Sequence, residues 1–213
     1  MTSFLDPLLI LVLAINFYAL GVSRIRSVIH VVGFQGILLG VFPLFVHAEI
    51  GLRGILLMAI TITVKGFVIP MFLVRAMREV NAQHEATPVI SYMSSLLLGA
   101  LGTGLAIEFA SSLPLVDGHE KLLVVPASLS TVWAGFLMLT TRRKAIMQVL
   151  GYLLLENGIF LFGLLLLEAM PLMMEIGVLL DVFTGVFVMG IIIHHINREF
   201  SSMSSEHLSA LKE

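Results

Sequence analysis

The sequence predicts an all-α, polytopic membrane protein with about seven transmembrane helices. Of its 213 residues, 58% are hydrophobic and only 12% are charged, and the mean hydropathy of +1.04 lies far above that of soluble domains. Runs of about 20 apolar residues are long enough to cross a bilayer core of ~30 Å. The predicted spans cover residues 5 to 22, 28 to 46, 53 to 74, 88 to 110, 122 to 140, 145 to 167 and 174 to 194.

The first span is expected to stay in the mature chain, because residues 1 to 6 lack the basic segment of a signal peptide and no small-residue cleavage site follows. Lys and Arg next to spans are retained on the cytoplasmic side. Nine such cations follow the odd-numbered spans, whereas the opposite loops hold only Arg53 and Lys121. The N-terminus is therefore predicted outside and the C-terminus in the cytoplasm. The nine are Arg24, Arg26, Arg75, Arg78, Arg142, Arg143, Lys144, Arg198 and Lys212.

Composition also excludes several functions. The net charge of −2 offers no basic surface for nucleic acid. The absence of cysteine rules out disulfides, thiolate chemistry and iron–sulfur ligation by this chain. No Walker loop, nucleophile–histidine–acid spacing or metal-ligand cluster is found in the sequence. The chain is therefore expected to carry no cofactor, metal or catalytic centre of its own.

An internal repeat organises the chain. At an offset of 118, residues 24–34 align with 142–152, so the first three spans resemble the last three as parallel repeats. Leu38 of the first unit stands where the second has Glu156. The glycines at 36, 40, 151, 158, 185 and 190 predict close helix packing. The predicted units are 1–78, a connector with the fourth span at 79–121, a second three-helix unit at 122–200, and a tail at 201–213.

Three ionisable residues, Lys65, Glu156 and Asp181, lie in the central part of their spans. A charge at that depth costs about 2.5–3.5 kcal/mol on insertion scales, so each needs a reason. Desolvation disfavours the charged forms of carboxyl and amino groups, which lets them exchange protons near neutral pH. The sequence therefore predicts a proton relay. The alternative is a structural pair of Lys65 with Asp181 or Glu156 that only locks the bundle.

Several titratable residues lie nearer the span ends. Glu175 precedes Asp181 by about 9 Å of helix, at ~1.5 Å per residue, and is a candidate end of a hydrated path. His194 is the corresponding candidate at the cytoplasmic end, where it and His30 also suit interface anchoring. A haem held between His30 and His194 is a further alternative. Glu108 and Glu168 are interpreted as solvated carboxylates at outer helix ends.

Several segments together resemble component E of the hydrogenase-4 family, a membrane subunit of group 4 [NiFe] hydrogenases and formate hydrogenlyases. The segments are Thr63-Val64-Lys65 with Pro70, QVLGYLLLENG at 148–158, EIGVLLDVF at 175–183 and LSALK at 208–212. The last three spans alone are similar to the K subunit of respiratory complex I (NuoK). Together with the repeat, this similarity implies a fold of two degenerate three-helix NuoK-like units joined by the fourth span. That subunit carries one intramembrane glutamate in its second helix, matched by Glu156, and one in its third, matched by Asp181. The change to aspartate shortens the side chain and favours a water bridge between the two sites.

The resemblance implies a membrane-arm subunit of a complex I-like redox complex in the inner (plasma) membrane of a prokaryote. Its partners would be antiporter-like and quinone-site-like subunits and a peripheral redox arm. Those partners would carry iron–sulfur clusters and a nickel–iron centre. Glu156, Asp181 and Lys65 would pass protons or couple to Na⁺ movement. The alternatives are a scaffold that holds antiporter-like subunits and a subunit of a cation/proton antiporter.

Overall fold

The computed structural model describes residues 5–43, 52–79, 88–113 and 123–163, together with Leu179, Phe183, Gly185, Val186 and Gly190. Only helices, and no strands, are found in that part of the chain. They are α1 (Leu5–Gly21), α2 (Ile25–Val41), α3 (Leu52–Thr63), a π-helical segment (Val64–Val68), α4 (Ile69–Glu79), α5 (Tyr92–Ser111), α6 (Val124–Thr141) and α7 (Ala145–Gly163).

The all-helical membrane fold predicted from the sequence is confirmed at this level. Within the described residues, four helical stretches are long and apolar enough to cross a membrane: Met58–Arg78, Tyr92–Ser111, Val124–Thr141 and Ala145–Gly163. The helices α1 and α2 are apolar but shorter, at 17 residues each. The predicted seventh span falls almost wholly outside the described residues. The number of spans and their orientation stay predictions.

The helix α5 shows why this chain belongs in lipid. Its N-terminus is capped by Ser91, whose hydroxyl accepts a hydrogen bond of 3.1 Å from the backbone N–H of Ser94. The buried face of the helix consists of small residues, whereas most of its large apolar side chains are exposed. This arrangement is the reverse of a soluble helix, and it lets backbones approach closely. The exposed side chains are Met93, Leu97, Leu98, Leu101, Leu105, Ile107 and Phe109.

The closest helix pair is α6 with α7, and glycine makes the approach possible. A methyl group added at Gly135 of α6 would collide with the backbone of Leu155. One added at Gly158 of α7 would lie 2.6 Å from the backbone nitrogen of Val132. Close packing predicted for the glycines at 36, 40, 151 and 158 is confirmed, whereas no described atom comes within 4 Å of such a methyl at 185 or 190.

One end of the bundle is held by a buried arginine, Arg142, in the connection between α6 and α7. Its exposed fraction is 1%, and its Nη2 donates a hydrogen bond of 2.6 Å to the carbonyl of Leu20 at the end of α1. Its guanidinium also lies 4.5 Å from the ring centroid of Tyr92 at the start of α5. Arg142, one of the nine cations from which the orientation is predicted, therefore also links three helices.

Candidate functional site

The candidate site begins at Lys65, which lies in the π-helical segment between α3 and α4. The backbone N–H of Ile69 bonds to the carbonyl of Val64 five residues earlier, and Pro70 follows without an N–H to donate. Lys65 is only 5% exposed. A methyl group at Gly36 of α2 would lie 2.7 Å from Lys65 Cβ, so the absence of a side chain there lets the widened turn pack against α2.

Lys65 faces three positions on one side of α7. Its Nζ lies 3.4 Å from Oε1 of Glu156 and donates a hydrogen bond of 3.1 Å to Oδ1 of Asn157. The same Nζ lies 5.4 Å from the ring centroid of Phe160. Glu156 is 3% exposed. The structure therefore contains a buried ion pair that joins the π segment to α7.

A chain of hydrogen bonds continues from this pair across the bundle. Asn157 Nδ2 donates to Oε1 of Gln35 at 3.1 Å, and Gln35 Nε2 donates to Oδ1 of Asn16 at 3.0 Å. Asn16 Nδ2 donates to Oγ1 of Thr131 at 2.8 Å, and Thr131 donates to the carbonyl of Ala127 at 2.6 Å. We call these six side chains the polar layer: Lys65, Glu156, Asn157, Gln35, Asn16 and Thr131.

Each hydrogen bond described along the polar layer is donated away from Lys65. The carbonyl of Ala127 can only accept, so Thr131 must donate to it and therefore accepts from Asn16. The same logic fixes the amide of Gln35 and then that of Asn157, whose oxygen must face the lysine. This series of hydrogen bonds therefore fixes the amide of Asn157 so that its Oδ1 accepts from Lys65.

Apolar clusters enclose the polar layer on both sides. On α1, Leu9 and Val12 belong to one cluster and Ala19 and Leu20 to the other, with Asn16 between them in sequence. The same order holds on α2, α6 and α7, where Gln35, Thr131 and the Glu156–Asn157 pair each separate members of the two clusters. The polar layer therefore lies at mid-depth in the bundle, where the charged pair has little contact with water.

Of the predicted site residues, the structure brings Lys65 and Glu156 together. Asp181, Glu175 and His194 lie outside the described residues, so their predicted roles stay predictions. His30 is exposed, and its Nδ1 lies 2.7 Å from the carbonyl of Arg26. No group of three or more His, Asp or Glu side chains that might hold a metal ion occurs within the described part of the chain.

No role was predicted from the sequence for Gln35, Asn16, Thr131 or Asn157. The predicted site consisted of ionisable side chains only, whereas neutral amides and a hydroxyl make up most of the polar layer. Asn and Gln within membrane helices commonly bond across helices. Their positions near the middle of their spans were the signal that could have identified them.

We expect Gln35→Leu to destabilise the chain through the polar layer. The change leaves Asn157 Nδ2 and Asn16 Oδ1 without their partner, at about 1–3 kcal/mol for each buried polar group left unsatisfied. Thermal unfolding in mild detergent measures the effect. Gln148→Leu is the matched control, because Gln148 is exposed and makes one bond to the carbonyl of Arg142. Equal melting temperatures for the two variants would contradict a stabilising role for the hydrogen bonds of the polar layer.

Comparisons with known proteins define the family. The chain is 32% identical over 194 residues to uncharacterized protein Rv0085 of Mycobacterium tuberculosis, across 89% of this chain and 87% of that protein. It is 33% identical over 100 residues to hydrogenase-4 component E of Escherichia coli K12, across 47% of this chain and 45% of that protein. Hydrogenase-4 component E of Shigella flexneri gives the same values.

No protein-family model matches the chain. No solved structure matches it. The matched region spans a little under half the length of the component E proteins, whereas the mycobacterial match spans most of both chains. The chain therefore belongs to the family of Mycobacterium tuberculosis Rv0085 and is related, over about half of its length, to hydrogenase-4 component E.

Proposed function

We propose that this protein is a membrane-arm subunit of a hydrogenase-4-type redox complex and that Lys65 and Glu156 pass protons within it. The match to component E supports the assignment to such a complex. The observation that carries the proton role is the buried contact of 3.4 Å between Lys65 Nζ and Glu156 Oε1. A buried carboxyl group that contacts an amine with so little solvent around the pair is the kind of intramembrane arrangement that marks proton relays.

The proposed transfer step needs only the pair itself. A proton moves from the carboxyl group of Glu156 to the neutral amine of Lys65 and produces a carboxylate and an ammonium group, and the reverse step restores the neutral pair. The two atoms must approach to within about 3.2 Å for direct transfer. Lys65 can donate to Asn157 in both states, because a neutral amine still carries N–H groups. The polar layer can therefore hold the lysine in place while its charge changes.

The wider path and its setting are part of the same proposal. Asp181 is the next carboxyl group, with Glu175 and His194 as path ends, and the second unit is NuoK-like. Antiporter-like and quinone-site-like subunits adjoin the chain in a prokaryotic inner membrane. A peripheral arm with iron–sulfur clusters and a nickel–iron centre supplies the redox energy, and H⁺ or Na⁺ is the coupling ion.

A structural scaffold is the second candidate function. The observation in its favour is that the ion pair and the hydrogen bonds of the polar layer all join different helices. In that case the buried charges only hold the bundle together. The two functions differ in whether a neutral side chain at position 156 affects ion transport in an assembled complex.

We expect Glu156→Gln to leave the complex assembled and to reduce proton uptake severely. Glutamine keeps an oxygen that can accept from Lys65, and the lysine keeps its bond to Asn157, whereas both contacts are lost when the lysine itself is removed. Only the exchangeable proton of the carboxyl group is lost. A native gel of the solubilised membranes reports assembly, and proton uptake by inverted vesicles reports transport. Glu108→Gln is the control, because this carboxyl group is exposed near the end of α5. Full uptake in an assembled Glu156→Gln complex would disprove the relay at this residue.

A further inference from the structure

A small cavity lies against Lys65 on one side of the polar layer. Its volume is about 10 Å³, the space that one water molecule needs. Lys65 and Asn157 provide its polar wall. The remainder is apolar and lies between α2, α4 and α7: Ile29, Val32, Gly33, Ile69, Pro70, Leu73, Leu150 and Leu153.

An open groove of about 550 Å³ lies next to this cavity, toward the end of α4. Its polar lining consists of His30, Arg75 and Arg78, all of which are exposed. Exposed charged and imidazole side chains of this kind favour water in the groove.

Pro70 is the single residue that lines both spaces. Its ring fills the contact between α2 and α4, where a methyl group added at Gly33 would lie 2.7 Å from Pro70 Cγ. The π segment and proline interrupt the regular backbone bonding at the same point. Among the described residues, Pro70 and the small apolar cavity therefore lie between Lys65 and the groove.

We propose that water reaches Lys65 from this groove, past Pro70 and through the cavity, and that this route is the proton entrance to the polar layer. The lining is apolar, so water fills the route transiently, and Lys65 and Asn157 hold the innermost molecule. Water access itself follows from the two cavities alone. Its use for protons rests on the proposed function.

The test uses silver ions on the intact complex in membrane vesicles. The chain has no cysteine, so a single introduced thiol is the only one that this subunit offers. Ag⁺ is close to water in size, stays in water and binds thiolates, which form only where water reaches the thiol. After unfolding, thiols that silver has not blocked are labelled with a maleimide dye, and the subunit is resolved on a denaturing gel.

Neighbouring leucines on α7 provide a matched pair. Leu153 lines the cavity and Leu154 does not, although both are buried, at 6% and 0% exposure. We expect silver to block Leu153→Cys at least about tenfold faster than Leu154→Cys. The block should come from the same side of the membrane as for Met71→Cys in the groove. Equal rates for the leucine pair, or a block of Leu153→Cys from the opposite side only, would overturn the proposed route.

A plug variant tests the route without a residue of the polar layer. Leu73→Phe places a larger side chain in the cavity wall. It should lower the rate at which silver ions block the thiol of Leu153→Cys, while the rate at Met71→Cys stays unchanged. An unchanged rate at Leu153→Cys would also overturn the route. Failure of the proposed function has a different signature, because the silver pattern would persist while Glu156→Gln vesicles still took up protons at the normal rate.

Discussion

Gly135→Ala should destabilise the bundle more than any other exchange of glycine for alanine in the described helices. The added methyl group would meet the backbone of Leu155 and lie 2.7 Å from the carbonyl oxygen of Gly151. Backbone atoms cannot turn aside as a side chain does, so α6 and α7 must separate. We expect a loss at or above the upper end of the roughly 1–3 kcal/mol typical of overpacking. Chemical unfolding in mild detergent and the yield of monodisperse protein measure it.

The control variant is not expected to lower the free energy of unfolding. No atom within the described residues lies within 4 Å of a methyl group at Gly104 of α5. Alanine favours a helix over glycine by up to about 1 kcal/mol, so Gly104→Ala should be neutral or slightly stabilising. If Gly135→Ala unfolded at the same denaturant concentration as Gly104→Ala, close contact between α6 and α7 would not hold the bundle together.

Helix positions were largely predictable from the sequence, and two of the differences have a common cause. The second span was predicted from residue 28 but α2 begins at Ile25, and the third was predicted to end at 74 but α4 continues to Glu79. In both cases charged residues at the span end were read as loop. Arg75 and Arg78 lie within α4, because a long side chain can carry its charge to the membrane surface while the backbone stays helical.

The candidate site was predictable only in part. The depth of Lys65 and Glu156 follows from span boundaries, and their pairing was one of two alternatives for the lysine. Which helix faces meet cannot be read from hydropathy when apolar residues are spread around α1, α5 and α7 with little difference between faces. The hydrogen bonds through Gln35 depend on those faces. The sequence did not indicate the π segment that precedes Pro70.

Lys65→Met should be the most damaging single change in the polar layer. It removes the ammonium group that lies 3.4 Å from Oε1 of Glu156 and the donor of the 3.1 Å hydrogen bond to Asn157 Oδ1. Breaking a buried ion pair by removing one partner costs about 3–5 kcal/mol. We expect a much lower yield of assembled complex and a lower unfolding midpoint for what remains. Arg26→Met removes an exposed cation at the start of α2 and serves as the control.

The double variant Lys65→Met with Glu156→Leu distinguishes a relay from a scaffold. Replacing both partners of a buried pair by apolar groups of similar volume is often neutral or stabilising, and the repeat already has Leu38 at the position that matches Glu156. We therefore expect the double variant to recover most of the stability and assembly that Lys65→Met loses. Proton uptake should stay absent, because no titratable group remains in the pair. An assembled double variant that takes up protons at the normal rate would show that the charges serve only to hold the helices together.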